Sequence, residues 1–197
     1  IDHDANRRAG PGPKGESIVS RPHYMRVEER GTGCRIEWRW LGIKHLFMLF
    51  FCIAWDSFLI FWYAAALSGK GPWLMIVFPV AHVAVGIGIT YATIAGLLNR
   101  TAIDIDRTTL SIRHGPVPWR GNRDLSAAEI TQIHCEQRMQ TGRNGSTVCY
   151  DLFATLRNGE RLKLISDLEE PGEARYLEYE IERRLNITQR SVAGEYA

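Results

Sequence analysis

Charge is missing from two long stretches of this 197-residue chain. From Leu46 to Leu67 the only Asp, Glu, Lys or Arg in 22 residues is Asp56, and from Trp73 to Leu98 there is none in 26. A core helix of a soluble protein rarely runs past 20 residues, and about 18 apolar residues in a row already suggest a membrane span. These gaps therefore argue against a wholly soluble domain. Cysteine is scarce as well. Four are scattered along the chain with no Cys-x-x-Cys, which excludes a disulfide-stapled scaffold and offers no metal-ligand spacing. The 18 glycines show no collagen-like repeat. Neither sign of charge dominates: 24 Lys and Arg face 22 Asp and Glu. Residues 99–197 hold 14 bases and 15 acids, so bulk charge gives no reason to expect a nucleic-acid partner. No phosphate-binding glycine loop, Ser-His-Asp set or paired-carboxylate spacing occurs, so neither an enzyme nor a cofactor is expected.

What is present reads as architecture. The two apolar runs are joined by Ser68-Gly69-Lys70-Gly71-Pro72, long enough only for a tight turn. The expectation is a helical hairpin at 45–98, with spans 46–67 and 73–98. Helices are the form that satisfies backbone groups within a segment in hydrocarbon. Arg26, Arg30, Arg35, Arg39 and Lys44 precede the first span, Arg100, Arg107 and Arg113 follow the second, and only Lys70 lies in the turn. Eight basic residues against one put both termini on the cytoplasmic side. Trp62, Tyr63 and Trp73 suit the far interface, and Trp38 and Trp40 the near one. Residues 1–44 are too polar for a signal peptide. Opening on Ile1 leaves room for native sequence upstream.

Residues 1–23, with Gly10-Pro11-Gly12-Pro13, read as a disordered tail, and 188–197 as a second. At 24–41 apolar and charged residues alternate about Gly31-Thr32-Gly33, which predicts a β-hairpin leading to the membrane. Period two returns at 102–105, 110–113, 130–139, 147–156 and 161–166. That gives five meandering strands, with an Asn144-Gly145 turn signal in the 141–145 loop. Pro171, the early Glu173, the late Arg183 and Arg184, and the stripe Ala174, Leu177, Ile181, Leu185 predict a closing amphipathic helix.

This order resembles the bacterial pleckstrin-homology-like (PH-like) two-span membrane proteins. The resemblance rests on Asn99-Arg100-Thr101-Ala102-Ile103-Asp104, on Thr109-Leu110-Ser111-Ile112-Arg113-His114-Gly115, and on Leu125-Ser126-Ala127-Ala128-Glu129-Ile130. It covers residues 45 to about 187. It implies a membrane α+β protein: a two-helix transmembrane hairpin followed by a small antiparallel PH-like β-domain at 99–187, capped by a C-terminal helix. It also implies anchoring and binding more than catalysis, and a bacterial cytoplasmic (inner) membrane location. Members of this group often carry an upstream zinc ribbon, which is absent here, so no metal ligand is carried over. A seven-strand PH-like sheet needs two more strands than the C-terminal part supplies, and the 24–41 hairpin could provide them.

Several residues stand out chemically. Asp56 falls near the middle of span one, where a carboxylate costs about 2.5–3.5 kcal/mol on insertion scales. His82 should lie at similar depth on span two and is the partner to test. Pro79, one turn earlier, frees a backbone carbonyl. The pair reads either as a proton-linked or partner-binding site or as a bond that locks the hairpin. Ala84, Gly88, Ala92 and Gly96 form a row of small residues at spacing four, suited to close helix packing within the hairpin or between subunits. Arg113, Trp119, Arg120 and Arg123 flank Pro116–Pro118 in a loop that could meet phospholipid headgroups, each basic residue gaining about 1 kcal/mol near an anionic leaflet; the alternative is a solvated loop. His134 and Glu136 share one strand face and Cys135 the other, too few ligands for a metal. Cys135 and Cys149 should be buried thiols. Asn99-Arg100-Thr101 and Asn144-Gly145-Ser146 match glycosylation sequons by accident of a cytoplasmic location.

The reading is a membrane-anchored cytoplasmic binding or adaptor module. Its partners are membrane lipids and a protein, or a second copy held through the spans. The alternative is an accessory subunit of a multi-component membrane enzyme or transporter that uses Asp56 and His82.

Overall fold

The computed structural model describes residues 20–68, 72–142 and 145–187. Residues 1–19 of the tail expected at 1–23, the expected tail at 188–197, the middle of the turn at 69–71 and the loop tip at 143–144 lie outside them. The layout is mixed α and β, and it falls into two compact units. One is Tyr24–Ala128; the other comprises Glu129 onward together with the residues before Tyr24.

In the first unit, strands β1 (Arg26–Arg30) and β2 (Gly33–Arg39) form a hairpin, and helix α1 (Ile43–Ala66) follows. A short helix α2 (Leu74–Val77) and helix α3 (Val80–Leu98) bring the chain back. Strands β3 (Arg100–Ile105), β4 (Thr109–Gly115) and β5 (Arg123–Ser126) complete a five-stranded antiparallel sheet in the order β1-β2-β3-β4-β5. Both helices are thus inserted between two neighbouring strands. The β2–β3 ladder runs from Cys34 opposite Ile105 to Arg39 opposite Arg100. One more bond, from the Trp40 N–H to the Asn99 carbonyl at 3.1 Å, carries the pairing to the foot of the helices. Cross-strand rows fill the core. Ile36, Ile103 and Ile112 stand opposite one another, as do Ile105, Leu110 and Leu125, and all are buried. Each fully buried side chain of this size contributes about 1.5–3 kcal/mol.

The first two strands after the helices therefore belong with the N-terminal hairpin, not with residues 129–187. The expected single β-domain at 99–187 is divided at Ala128 because the β2–β3 ladder holds β3, β4 and β5 in the first sheet. Strand β5, four residues with one buried side chain, Leu125, was not expected.

In the second unit, strands β6 (Ile130–Gly142), β7 (Gly145–Leu156) and β8 (Arg161–Leu168) form a three-stranded antiparallel sheet. Helix α4 (Pro171–Leu185) packs on all three strands. Pro171 opens it, where a missing N–H costs no helical bond. Asn186 ends it in the left-handed conformation at φ 54°, which Asn tolerates. Ala174, Leu177 and Ile181 of the expected stripe are buried. Glu173 lies in the first turn and Arg183 and Arg184 in the last, matching the helix dipole.

Candidate functional site

The helices meet along seams with a spacing of seven. Cys52, Leu59 and Ala66 of α1 are buried, and so are Pro79, Gly86 and Thr93 on the facing side. Such a repeat suits side-by-side helices crossing at a shallow angle. Few side chains block the approach: the Cys52 Sγ and Thr93 Oγ1 are 3.4 Å apart, and a Cβ added to Gly86 would meet the Trp55 ring at 3.1 Å. A methyl group on Gly96 would overlap the His45 imidazole.

The expected row of small residues splits on this geometry. Gly96 is buried against α1, whereas Ala84, Gly88 and Ala92 face outward, and a Cβ on Gly88 would meet open space. Apart from Gly96, the row is not what joins the two helices. The seam was not singled out beforehand; its signal was Cys52, Leu59 and Ala66 at intervals of seven.

Asp56 and His82 have separate partners. The Asp56 Oδ2 accepts from the Thr90 hydroxyl at 3.1 Å. His82 instead stacks on Trp55, with ring centroids 5.9 Å apart, and meets Phe78 at a tilt with centroids 5.3 Å apart. Its buried Nδ1 has no hydrogen-bond partner among the described residues. Phe78 and Pro79, both in the right-handed helical region, carry the chain from α2 into α3. Asp56 meets Gly86 and Thr90, one and two turns beyond His82. Pro79 does free a carbonyl, that of Met75, since Pro79 has no N–H to offer it. The Trp62 Nε1–H fills the vacancy at 2.9 Å. The Tyr63 hydroxyl donates to the next carbonyl, Ile76, at 3.2 Å.

At the foot of the helices the β4–β5 loop folds into an aromatic cluster. Trp40 meets Trp119 edge-on, with centroids 5.4 Å apart, and Tyr91 stacks on Trp119 at 6.2 Å. The Tyr91 hydroxyl donates to the Pro118 carbonyl. Asn99 is buried and binds both backbone groups of Val117. Trp40 Nε1–H, always a donor, gives a hydrogen bond to the Thr101 Oγ1 at 2.7 Å. The Thr101 Oγ1 and the His114 Nδ1 share a hydrogen bond at 3.0 Å. Burial holds the His114 pKa below the ordinary value.

The four loop residues divide. Arg113 is committed to the Asp124 carboxylate and to the Arg123 and Ile112 carbonyls. Trp119, Arg120 and Arg123 are exposed, and neither Arg120 nor Arg123 has an ion-pair partner among the described residues. Arg39, exposed at the end of β2, is likewise unpaired and was not singled out earlier. Its cross-strand neighbour Arg100 binds Glu37 at 3.0 Å.

The second unit carries a charged sheet face. Asp151, almost wholly buried, accepts from Lys163 at 2.7 Å, from Arg138 at 3.1 Å and from the Asp167 N–H at 3.0 Å. Burial pushes its carboxyl up, but these donors outweigh burial and hold it below the ordinary range. His134 and Glu136 do share a face, 3.5 Å apart, with Arg161 on both. Cys135 stands opposite Leu152 and Cys149 opposite Arg138; both are buried and neither is in a disulfide. Among the described residues no three His, Cys, Asp or Glu side chains converge on a metal position. No protein-family model and no curated protein matches this chain.

Proposed function

We propose that this chain is a membrane-anchored binding module whose helical hairpin crosses a bilayer twice and whose first sheet lies at the headgroup level. The β2–β3 ladder carries this reading. It joins the sheet to both helices with no intervening linker, so an inserted hairpin holds the sheet against the surface. Two further facts support insertion. Helices Ile43–Ala66 and Leu74–Leu98 are long and apolar enough to span, and only 11% of each one's most apolar window is buried. In water that much exposed apolar surface would drive association; in lipid it is solvated.

In this reading Trp40, Tyr91 and Trp119 form an interfacial aromatic belt. Arg39, Arg120 and Arg123 supply cations for anionic headgroups, while Arg113, bound to Asp124, does not. The eight-to-one bias of basic residues puts both termini on the cytoplasmic side of a bacterial inner membrane. The antiparallel meanders and the closing helix support a PH-like module. The anchor raises the module's effective concentration for partners at the same surface.

The test is flotation of the full chain with lipid vesicles, followed by native mass spectrometry of lipids kept after detergent extraction. The expected result is flotation that resists alkaline carbonate, with retained phosphatidylglycerol or cardiolipin that falls in an Arg39→Ser/Arg120→Ser variant. A chain that stays monodisperse in plain buffer overturns the reading. A subunit role within a larger membrane assembly is favoured by one separate observation, the apolar groove that carries Asp56.

A further inference from the structure

Helices α1 and α3 leave an open groove of about 670 Å³ along one side, lined mainly by apolar side chains such as Leu59, Ile87 and Ile94. Its wall also carries Asp56 and Thr90. Asp56 is the fourteenth of the 24 residues of α1, so a spanning helix puts it near mid-depth. A carboxylate can accept about four hydrogen bonds, and among the described residues Asp56 accepts one, from Thr90. The chain has no cation to offer at that depth. No Lys or Arg lies between Lys44 and Lys70 or between Lys70 and Arg100, and His82 is turned into the Trp55 and Phe78 rings.

These facts narrow the occupant. Lipid chains bring no donor. A second copy in a two-fold arrangement brings its own carboxylate to the same place, and its helices also lack Lys and Arg at that depth. The complement to an apolar groove with one under-satisfied carboxylate is an apolar helix with one cation. We propose that the groove docks a transmembrane helix of a different protein, and that a lysine or arginine at its mid-depth donates to Asp56. In hydrocarbon such charges occur mostly as pairs facing other protein. The inference rests on the membrane reading above and deepens its subunit alternative.

The experiment uses the full chain reconstituted in phosphatidylcholine vesicles and labelled with a fluorescence donor. Flotation comes first: failure there removes the membrane reading itself. In floated vesicles, acceptor-labelled synthetic helices of about 22 Leu and Ala residues are compared, one with Lys at the centre and one with Leu. The expected result is at least tenfold stronger energy transfer with the Lys helix, a preference lost in Asp56→Leu and reduced in Asp56→Asn. Ile87→Trp fills the groove without touching the charge and should weaken binding of the Lys helix as well. Circular dichroism confirms that each variant keeps its helices. Equal association of the two peptides overturns the proposal, as does a Lys preference that survives Asp56→Leu in a folded chain. Transfer between copies of the chain that depends on Asp56, without peptide binding, assigns the groove to a second copy and equally overturns it.

Discussion

The Asn99 side chain holds both backbone groups of Val117: its Nδ2 donates to the carbonyl at 2.9 Å and its Oδ1 accepts from the N–H at 2.7 Å. Asn99 also ends α3, its own N–H donating to the Ala95 carbonyl at 2.8 Å. One buried amide therefore fixes where the helix stops and where the β4–β5 loop lies. Asn99→Ala strands two part-buried backbone groups and should cost about 1–3 kcal/mol. Thermal unfolding in detergent measures the loss. Trp119 fluorescence in a background lacking the other tryptophans should shift to the red as the loop loosens.

Trp62 answers the carbonyl that Pro79 leaves free. Trp62→Phe should destabilise the chain by about 1–2 kcal/mol, because an unfilled carbonyl among apolar helices finds no water. Pro79→Ala supplies a backbone N–H for that same carbonyl, so Trp62→Phe should become nearly neutral in that background. A double-mutant cycle by chemical denaturation measures the coupling; independent effects of the two changes contradict the assignment.

Gly88 and Gly96, eight residues apart on one helix, should respond in opposite directions. Gly88→Ala adds a methyl into open space and gains helix propensity, so it should be neutral or slightly stabilising, up to about 1 kcal/mol. Gly96→Ala must displace the His45 ring, which accepts from the Gly42 N–H at 3.3 Å. It should lower the melting temperature, and Gly96→Leu more so.

The His114 pKa lies below its ordinary value because of burial. Its neutral form is therefore favoured by folding, and the unfolded chain takes up a proton first as the pH falls. Stability should be full above the ordinary pKa of about 6.5 and decline below it, levelling once the folded ring also protonates. His114→Gln should flatten that decline. Nitrogen-15 shifts of the His114 ring followed against pH should give a midpoint below the ordinary value; a midpoint above it contradicts the effect of burial.

Asp151 joins Lys163, Arg138 and the backbone of Asp167, which has a positive φ of 61°. Asp151→Asn should cost about 1–3 kcal/mol, at the lower end because both cations are partly exposed and can be rehydrated. The depressed carboxyl pKa gives stability that is present above the ordinary carboxylate value and lost as the pH falls through the folded one. Denaturant midpoints measured from pH 6 down to pH 3 should converge for Asp151→Asn and the parent chain.

Local pattern made much of this legible. Apolar length gave α1 and α3, period two gave β2, β3, β4, β6, β7 and β8, and the stripe through Leu177 gave α4. Pairing of the N-terminal hairpin with the later strands was open as one possibility, and register settles it. What could not be read depends on contacts between distant segments. Strand β5 is four residues long and is held by pairing with β4, so no periodicity could announce it. The partner of Asp56 depended on how α1 and α3 align across the hairpin. Asn99 and Thr101 looked like a chance sequon, and their roles exist only once Val117, Trp40 and His114 are brought to them. Arg113 and Arg120 are alike in sequence; only Asp124 separates one from the other.

The insertion of both helices between β2 and β3 also orders events during synthesis. Trp40 and Thr101, joined by a hydrogen bond, are 61 residues apart. The N-terminal hairpin therefore leaves the ribosome with an unpaired edge, and its complement is made only after both apolar segments have been synthesised. Closing so long a loop is slow when its ends diffuse freely. Two helices lying side by side bring the ends together in advance. The ladder then acts as a clasp that shuts last, and a chain whose helices fail to pair is left with an open strand edge, the kind of surface that quality control and aggregation both exploit.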